Sequence, residues 1–434
     1  MLKVNVIGAG LAGCEAAYQL SKRGIAVSLY EMKPIKMSPA HHRETLAEIV
    51  CSNSLKSEEK TTASGTLKDE LEVLDCFILR IARECRVPAG SALAVDREKF
   101  TVRVTQEIKK LENVELISKE VTTIDTSIPT IIATGPLTSD DLSKNIFNLL
   151  GDKSLYFFDA SAPIIEADSI DYSKTFTSGR YGKGESDYIN CGMNKDEYYN
   201  FINELKNAKR VELKDFENTQ VFEGCMPIEV MASRGDDTLR YGPLRPVGLR
   251  DNDGNRPFAV VQLRKENVQS ELFNIVGFQT NLTFGEQKRV FSLIPALKNA
   301  EFVKFGVMHR NTFINAPKHL NADFSMKKYP LIFFAGQISG VEGYVESVAS
   351  GLIAGISLAR KLQGKSQISI DTTTIIGALC NHISTPVDNF QPMNANFGIL
   401  DPLNVVIRDK SLKKLEYNKR AVENIKIYKE KIND

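Results

Sequence analysis

The sequence predicts an α/β protein in which a Rossmann-like domain carries an inserted α+β domain. Three observations lead there. A glycine-rich turn separates an apolar strand from a helix at the start of the chain. An acidic residue closes the next strand, and two further short apolar strands end in glycine far downstream, at Gly135 and Gly336. At 434 residues the chain also exceeds what one hydrophobic core supports, so a domain with a large insertion is the natural expectation.

In order along the chain, Val4-Asn5-Val6-Ile7 alternates apolar and small polar residues and breaks at Gly8-Ala9-Gly10-Leu11-Ala12-Gly13. Helix formers follow over Glu15 to Arg23. Gly8 permits the tight turn, Gly10 lets a pyrophosphate approach the backbone, and Gly13 lets helix pack close on strand. Free N–H groups and the helix dipole would then bind the anion. The second strand, Ala26 to Tyr30, ends in Glu31, at the distance where a carboxylate meets ribose hydroxyls.

This fingerprint suits FAD and NAD alike. The strand end Ala133-Thr134-Gly135 and the turn Ala335-Gly336-Gln337 resemble the further cofactor contacts of the glutathione-reductase-like FAD class, and so point to FAD. A helix over Tyr344 to Leu362 is expected after that turn, with the Gly340 to Gly343 segment aiming N–H groups at the flavin or its phosphates. Close packing for steric reasons alone is the competing reading of those glycines. The division expected is 1–154 and 326–434 for the FAD-binding domain and 155–325 for the insertion. The tail from Lys410 to Ile432 places Leu412, Leu415, Val422 and Ile425 at helical spacing, which predicts an amphipathic helix packed on the core. Nine Lys and Arg against five Asp and Glu after Val405 keep RNA contact open for this end.

Composition narrows the class. With 42% hydrophobic and 25% charged residues the chain reads as an ordinary globular protein, and no apolar run reaches the ~20 residues of a membrane span. Neither a membrane nor DNA is expected as a partner, and the net charge of +1 gives no global sign of nucleic acid. Seven irregularly spaced cysteines without a CxxC pair argue against a disulfide framework and a zinc site, so a reducing, cytoplasmic setting is expected.

Two cysteines stand in unusual settings: Cys51 in Ile49-Val50-Cys51-Ser52-Asn53-Ser54-Leu55, and Cys225 in Phe222-Glu223-Gly224-Cys225-Met226-Pro227-Ile228-Glu229. A cysteine is most often a small buried hydrophobe. Gly224 and Pro227 flank Cys225 as in a constrained loop, which moves it toward reactivity. Further segments are equally idiosyncratic: PAHH at 39–42, VPAG and ALAVDR within 87–97, IIATGPLTS at 131–139, FEGCMPIEVMA at 222–232, NIVGFQT at 274–280, GVMHRNTFINAP at 306–317, AGQISGVEGYVES at 335–347 and NFQPMNANFG at 389–398.

On these segments the whole chain resembles the folate- and FAD-dependent tRNA (uracil-C5)-methyltransferase family, TrmFO, related to the GidA-type flavoproteins. The resemblance implies an enzyme that forms 5-methyluridine in the T loop of tRNA. Methylenetetrahydrofolate would supply the carbon, reduced FAD would carry methylene and electrons, and NAD(P)H would reduce the flavin again. Cys225 would add to uracil C6, the step that makes C5 nucleophilic. Cys51 matches the family's second functional cysteine, for proton transfer or protection of the flavin. Glu223 and Glu229 are candidate bases, and His41, His42, His309, Arg97 and Arg310 are candidates for anion or ligand contact, each with a structural role as the alternative. The chain departs from the family at Asp236 and Asp237, where relatives usually carry basic residues, and in the segment 177–184, which lacks one lysine and one aspartate common there in relatives. Arg234, Arg240, Arg245, Arg250 and Arg256 offer a basic stripe in compensation. Open alternatives are the same chemistry on large-subunit ribosomal RNA, an FAD-dependent NAD(P)H oxidoreductase without RNA, and a non-catalytic RNA-binding flavoprotein. The sequence does not speak to oligomeric state.

Overall fold

A computed structural model describes residues 3–152, 155–178, 187–211, 226–267, 270–388 and 390–433. The chain opens into a five-stranded sheet in the order Ile332–Phe334, Thr130–Ile132, Lys3–Ile7, Ala26–Glu31, Val114–Ser118, with every pairing parallel. Val6, Ile7, Ile131, Ile132 and Phe333 are buried on both faces of the sheet, as a parallel sheet between helical layers requires. From Lys3–Ile7 the strand order runs outward in both directions. That makes the gap between Ile7 and Ile132 a switch point, where a crevice opens beyond the carboxyl ends of the strands.

The first helix spans Leu11–Lys22, not Glu15 to Arg23 as its helix formers suggested: Gly10 is its N-cap and the loop residues already lie in its first turn. It packs on the long helix Tyr344–Leu362, whose bounds are as expected. The two backbones come so close that a Cβ at Gly351 would run into the Ala12 carbonyl.

A second core surrounds an antiparallel six-stranded sheet, in the order Thr175–Thr177, Tyr188–Met193, Ala259–Lys265, Leu272–Ile275, Ile164–Glu166, Phe302–Lys304. Strand alternation sends Ile189, Cys191, Val261, Leu263, Phe273 and Ile275 into that core, under Tyr198, Phe201 and Phe291 from helices Lys195–Asn207 and Phe284–Phe291. The same alternation turns Asn190, Gln262, Arg264 and Asn274 to the opposite face.

The tail forms the helix Lys410–Asn433, on a seam that keeps Ile425 of the expected one but not Leu412 and Leu415. Tyr417, Ala421, Ile425, Tyr428 and Ile432 are buried, while Leu412 and Leu415 are 59% and 40% exposed. The larger aromatic stripe, on the i, i+4 rows, wins the contact with helix Ala63–Val73. Among the described residues no helix is long and apolar enough to cross a membrane.

Candidate active site

The first cleft lies at the switch point and takes its lining from the residues that follow each parallel strand: Gly8 to Ala12, Glu31 to Lys33, Lys119 to Val121, Ala133 to Ser139, and Gly336 with Gln337. Its empty space is about 1130 Å³, open mouth included. Gly8, at φ +95°, is held against the next strand end: a Cβ there would lie 2.7 Å from the Ala133 carbonyl. A Cβ at Gly13 would collide with the Gly8 carbonyl, so Gly13 is what lets helix and turn close up. Gly10, by contrast, meets nothing within 4 Å. Backbone is therefore bare where the helix begins, and no side chain caps its first N–H groups. These are the features an anionic dinucleotide bridge needs, and they fit FAD.

Glu31 reaches into this cleft, with Oε2 accepting from Ala9 N at 3.0 Å and Oε1 from Lys33 N at 3.1 Å. A carboxylate retains lone pairs beyond those two, enough for hydroxyl donors. Thr134 and Gly135 line the same space, the Thr134 hydroxyl pairing with that of Thr138 at 2.6 Å. Gly340 and Gly343 are not among the lining residues. A Cβ at Gly340 would strike the Phe390 ring, and one at Gly343 would strike the Glu346 carboxyl, which Lys56 holds at 2.9 Å. Their described surroundings are thus those of close packing.

A second cleft, of about 780 Å³ with its mouth, lies between the two cores. Cys51 and Ser52 line it from the first core, Arg264, Asn274 and Gly277 from the six-stranded sheet and its following turn, and Met226 and Met231 from the segment that enters helix Ile228–Ser233. Val50 and Tyr344 line the first cleft and Cys51 the second, so a single peptide bond leads from one to the other.

Tyr344 fixes that junction. Its hydroxyl oxygen accepts from Val50 N at 3.0 Å and Cys51 N at 2.9 Å, and lies 2.9 Å from Cys51 Sγ. Two N–H groups occupy the oxygen's lone pairs, which leaves its hydrogen for the sulfur. Burial, then the nearby Cys51, pushes the phenol well above its ordinary range, so that hydrogen stays in place. Beneath, Arg97 donates to the carbonyls of Ile49 and Val50 at 3.1 and 2.8 Å and pairs with Glu266 at 2.8 Å. Burial alone would lower the Arg97 guanidinium, but Glu266, Tyr344 and Cys51 together hold it above its ordinary range. Burial and Arg97 depress the Lys304 ammonium beside them. Arg264 secures the other side, donating to Asn53 Oδ1 at 2.9 Å and Ser52 Oγ at 2.8 Å.

Of the residues singled out in the sequence, Gly8, Ala9, Gly10, Leu11, Ala12, Glu31, Thr134, Gly135, Gly336 and Gln337 share the first cleft. His41 lines it too, with Nδ1 2.5 Å from Ser38 Oγ. Cys51 lines the second cleft. Cys225 and Glu223 lie outside the described residues, as do the side chains of His309 and Arg310. Glu229 is buried and spent on Thr280 Oγ1 and Asn281 N, at 2.8 and 2.7 Å, a structural role that removes it as a candidate base. Arg97 is likewise a structural ion pair and not an anion site. His42 lies on a surface turn where its N–H meets Glu48. Asp236 is paired with Lys206 and Asp237 with Arg240, so these acids do not stand as a bare negative patch. Arg240 lies over the Phe258 ring at 3.6 Å, and Arg250 donates to the Gly254 carbonyl, so these two of the five arginines of the expected stripe have structural contacts. Tyr344, Arg264 and Asn274 were not foreseen. Tyr344 sits in a quoted segment, but nothing local marks its reach to Cys51 across 293 positions.

Comparison with known proteins agrees with this geometry. The family model described as glucose inhibited division protein A matches residues 3–366. The methylenetetrahydrofolate–tRNA-(uracil-5-)-methyltransferase TrmFO of Acetivibrio thermocellus is 56% identical over 427 residues, 98% of each chain. The protein of the same name from Bacillus licheniformis is 54% identical over 425 residues, again 98% of each. Among solved structures, GidA of Aquifex aeolicus superposes with a TM-score of 0.72 over 99% of this chain and 73% of that one, at 15% identity, a likeness of fold. The chain accordingly belongs to the glucose inhibited division protein A family, on the branch of its TrmFO relatives.

Proposed function

We propose that this protein is a methylenetetrahydrofolate- and FAD-dependent methyltransferase that forms 5-methyluridine in tRNA, with a T-loop uracil as target and NAD(P)H as reductant. The observation that carries the reading is likeness at 56% identity over 98% of the length to a protein named for this reaction. The paired clefts support it: one suits a dinucleotide, and the other, one peptide bond away, offers room for a second reactant beside a thiol.

In this reading the N–H groups at the start of helix Leu11–Lys22 hold the pyrophosphate, Glu31 takes the ribose hydroxyls, and Thr134, Gly135, Gly336 and Gln337 border the rest of the cofactor. Bound FAD supplies two-electron redox chemistry and a place to carry the one-carbon unit. Cys225 adds as thiolate to uracil C6, which makes C5 nucleophilic. Its described neighbour, Met226, lines the same cleft as Cys51. Cys51, held by Tyr344, stands at the junction of the clefts to move a proton or shield the flavin. A three-part division belongs to the same proposal and is supported by the two separate cores, with Phe313, Ile314, Ala316, Leu320 and Phe324 packing in the first core and so favouring an insertion that ends before 313 rather than at 325. So does the cytoplasm as location, supported by the six described cysteines standing outside disulfides.

The test is incubation of the purified protein with tRNA transcript, methylenetetrahydrofolate and NADPH, followed by nucleoside mass spectrometry. Wild type makes 5-methyluridine and Cys225→Ala does not. Methylation of large-subunit ribosomal RNA with tRNA untouched would move the target, and flavin turnover indifferent to folate and RNA would reduce the protein to an oxidoreductase.

A further inference from the structure

The outward face of the six-stranded sheet is polar, and nearly every group on it is satisfied. Asn190 Nδ2 donates to the carbonyls of Phe176 and Ser178, Gln262 Nε2 to Asn190 Oδ1, and Arg264 to Asn53 and Ser52. Asn274, the strand neighbour of Arg264, is the exception. Its residue is 3% exposed, and its Nδ2 is buried with no acceptor among the described residues. Native folds rarely leave a buried donor unmade, because its lost hydration is not returned. Asn274 lines the second cleft, so the missing partner is one the cleft can receive.

The chemistry of that partner follows from the walls. Met226, Met231, Pro243 and Val276 supply apolar surface suited to the faces of a flat ring. The carboxamide presents a donor and an acceptor side by side, the complement of a C4 carbonyl next to an N3–H. A uracil carries that edge, and cytosine carries the reverse.

We propose that Asn274 is a catalytic residue that grips the C4 carbonyl edge of the target uracil, a conclusion that rests on the uracil methyltransferase reading above. When sulfur bonds to C6, the C5=C6 electron pair shifts through C4 and places negative charge on O4, with nothing lost or gained. A buried N–H already aimed at O4 stabilises that charge without reorganising, as an oxyanion hole does. Cytosine, with an amino group at C4, would set donor against donor.

The experiment uses the flavin-loaded full-length protein, wild type and with Asn274→Ala or Asn274→Asp. The substrates are tRNA transcript carrying [5-³H]uridine, methylenetetrahydrofolate and NADPH. Release of tritium from C5 and formation of 5-methyluridine are expected to fall on the order of 100-fold in kcat for Asn274→Ala, the size of effect of losing one oxyanion donor. KM for RNA should move less than about threefold, and KM for folate and flavin reduction by NADPH should not move. Because the amide Nδ2 meets no acceptor among the described residues, the melting temperature of Asn274→Ala should hold or rise, which a structural asparagine would not allow. Asn274→Asp keeps the shape, loses the N–H and should lose at least as much. Wild-type rates in either variant, or a loss that appears instead in folate KM, overturn the role of Asn274 alone. A wild type that makes no 5-methyluridine overturns the underlying function and this inference together.

Discussion

The first cleft offers main-chain N–H groups and bare glycine backbone from segments that each follow a strand of one parallel sheet. The second offers side chains, Cys51, Ser52, Arg264, Asn274 and Met226, brought together from two cores by contacts that span more than 200 positions, such as Arg264 to Ser52 and Asn53. A site made of backbone is written in short stretches that each follow a strand, and at Gly8 and Gly13 it tolerates nothing larger than hydrogen. A site made of side chains is written in long-range pairing and fails piecemeal.

That difference can be broken or sharpened by mutation. The largest effect is expected at Gly13→Val, whose side chain must occupy the space of the Gly8 carbonyl. The outcome is protein that is colourless or unfolded, read by flavin absorbance and circular dichroism; normal flavin content would sink the backbone account. Next comes Arg97→Met, which strands the buried Glu266 and frees the Ile49 and Val50 carbonyls. It should cost about 3–5 kcal/mol in denaturant unfolding and disorder the second cleft. At moderate denaturant-free temperature the first cleft should still take up flavin, and equal damage to both clefts would erase the distinction.

A smaller loss is expected at Tyr344→Phe, about 1–3 kcal/mol, as the N–H groups of Val50 and Cys51 lose their acceptor. Flavin should remain bound while alkylation of Cys51 by iodoacetamide, followed by peptide mass spectrometry, changes rate. An unchanged rate would mean the hydroxyl does not govern that thiol.

The last effect, the smallest per pH unit, lies away from both clefts. Burial raises Glu70 from 4.5 to about 8, against the pull of the Ile375 and Ile376 N–H groups it accepts from. The folded protein then holds a proton that the unfolded chain releases. Stability is full below the unfolded value and falls as pH rises toward 8, by on the order of 1 kcal/mol per pH unit. Glu70→Gln should flatten that slope without touching flavin binding, and a slope that survives the substitution would assign it elsewhere.

The same contrast explains what could be read from sequence. The turn from Gly8 to Ala12, Glu31, Thr134 with Gly135 and Gly336 with Gln337 line one cleft, because each is a local consequence of a strand ending. Gly340 and Gly343 carry the same composition but pack against Phe390 and Glu346, a tertiary fact that composition does not encode. The tail helix was legible and its seam was not, since Leu412 and Tyr417 lie on different faces and only the partner helix chooses between them. Arg264 was invisible, and Asn274, though it opens the segment NIVGFQT, was given no role, because a polar residue in an alternating strand reads as solvent-facing. Here that face is covered by the segment around Cys51.

The most direct test of two clefts acting as one enzyme follows the carbon atom. Purified flavin-loaded protein is given tRNA transcript, NADPH and methylenetetrahydrofolate carrying two deuterium atoms on its methylene, and the nucleosides are weighed. The account predicts 5-methyluridine two mass units heavier than normal, and none when the folate is omitted. Unlabelled product, or a methyl group drawn from labelled S-adenosylmethionine instead, would contradict it.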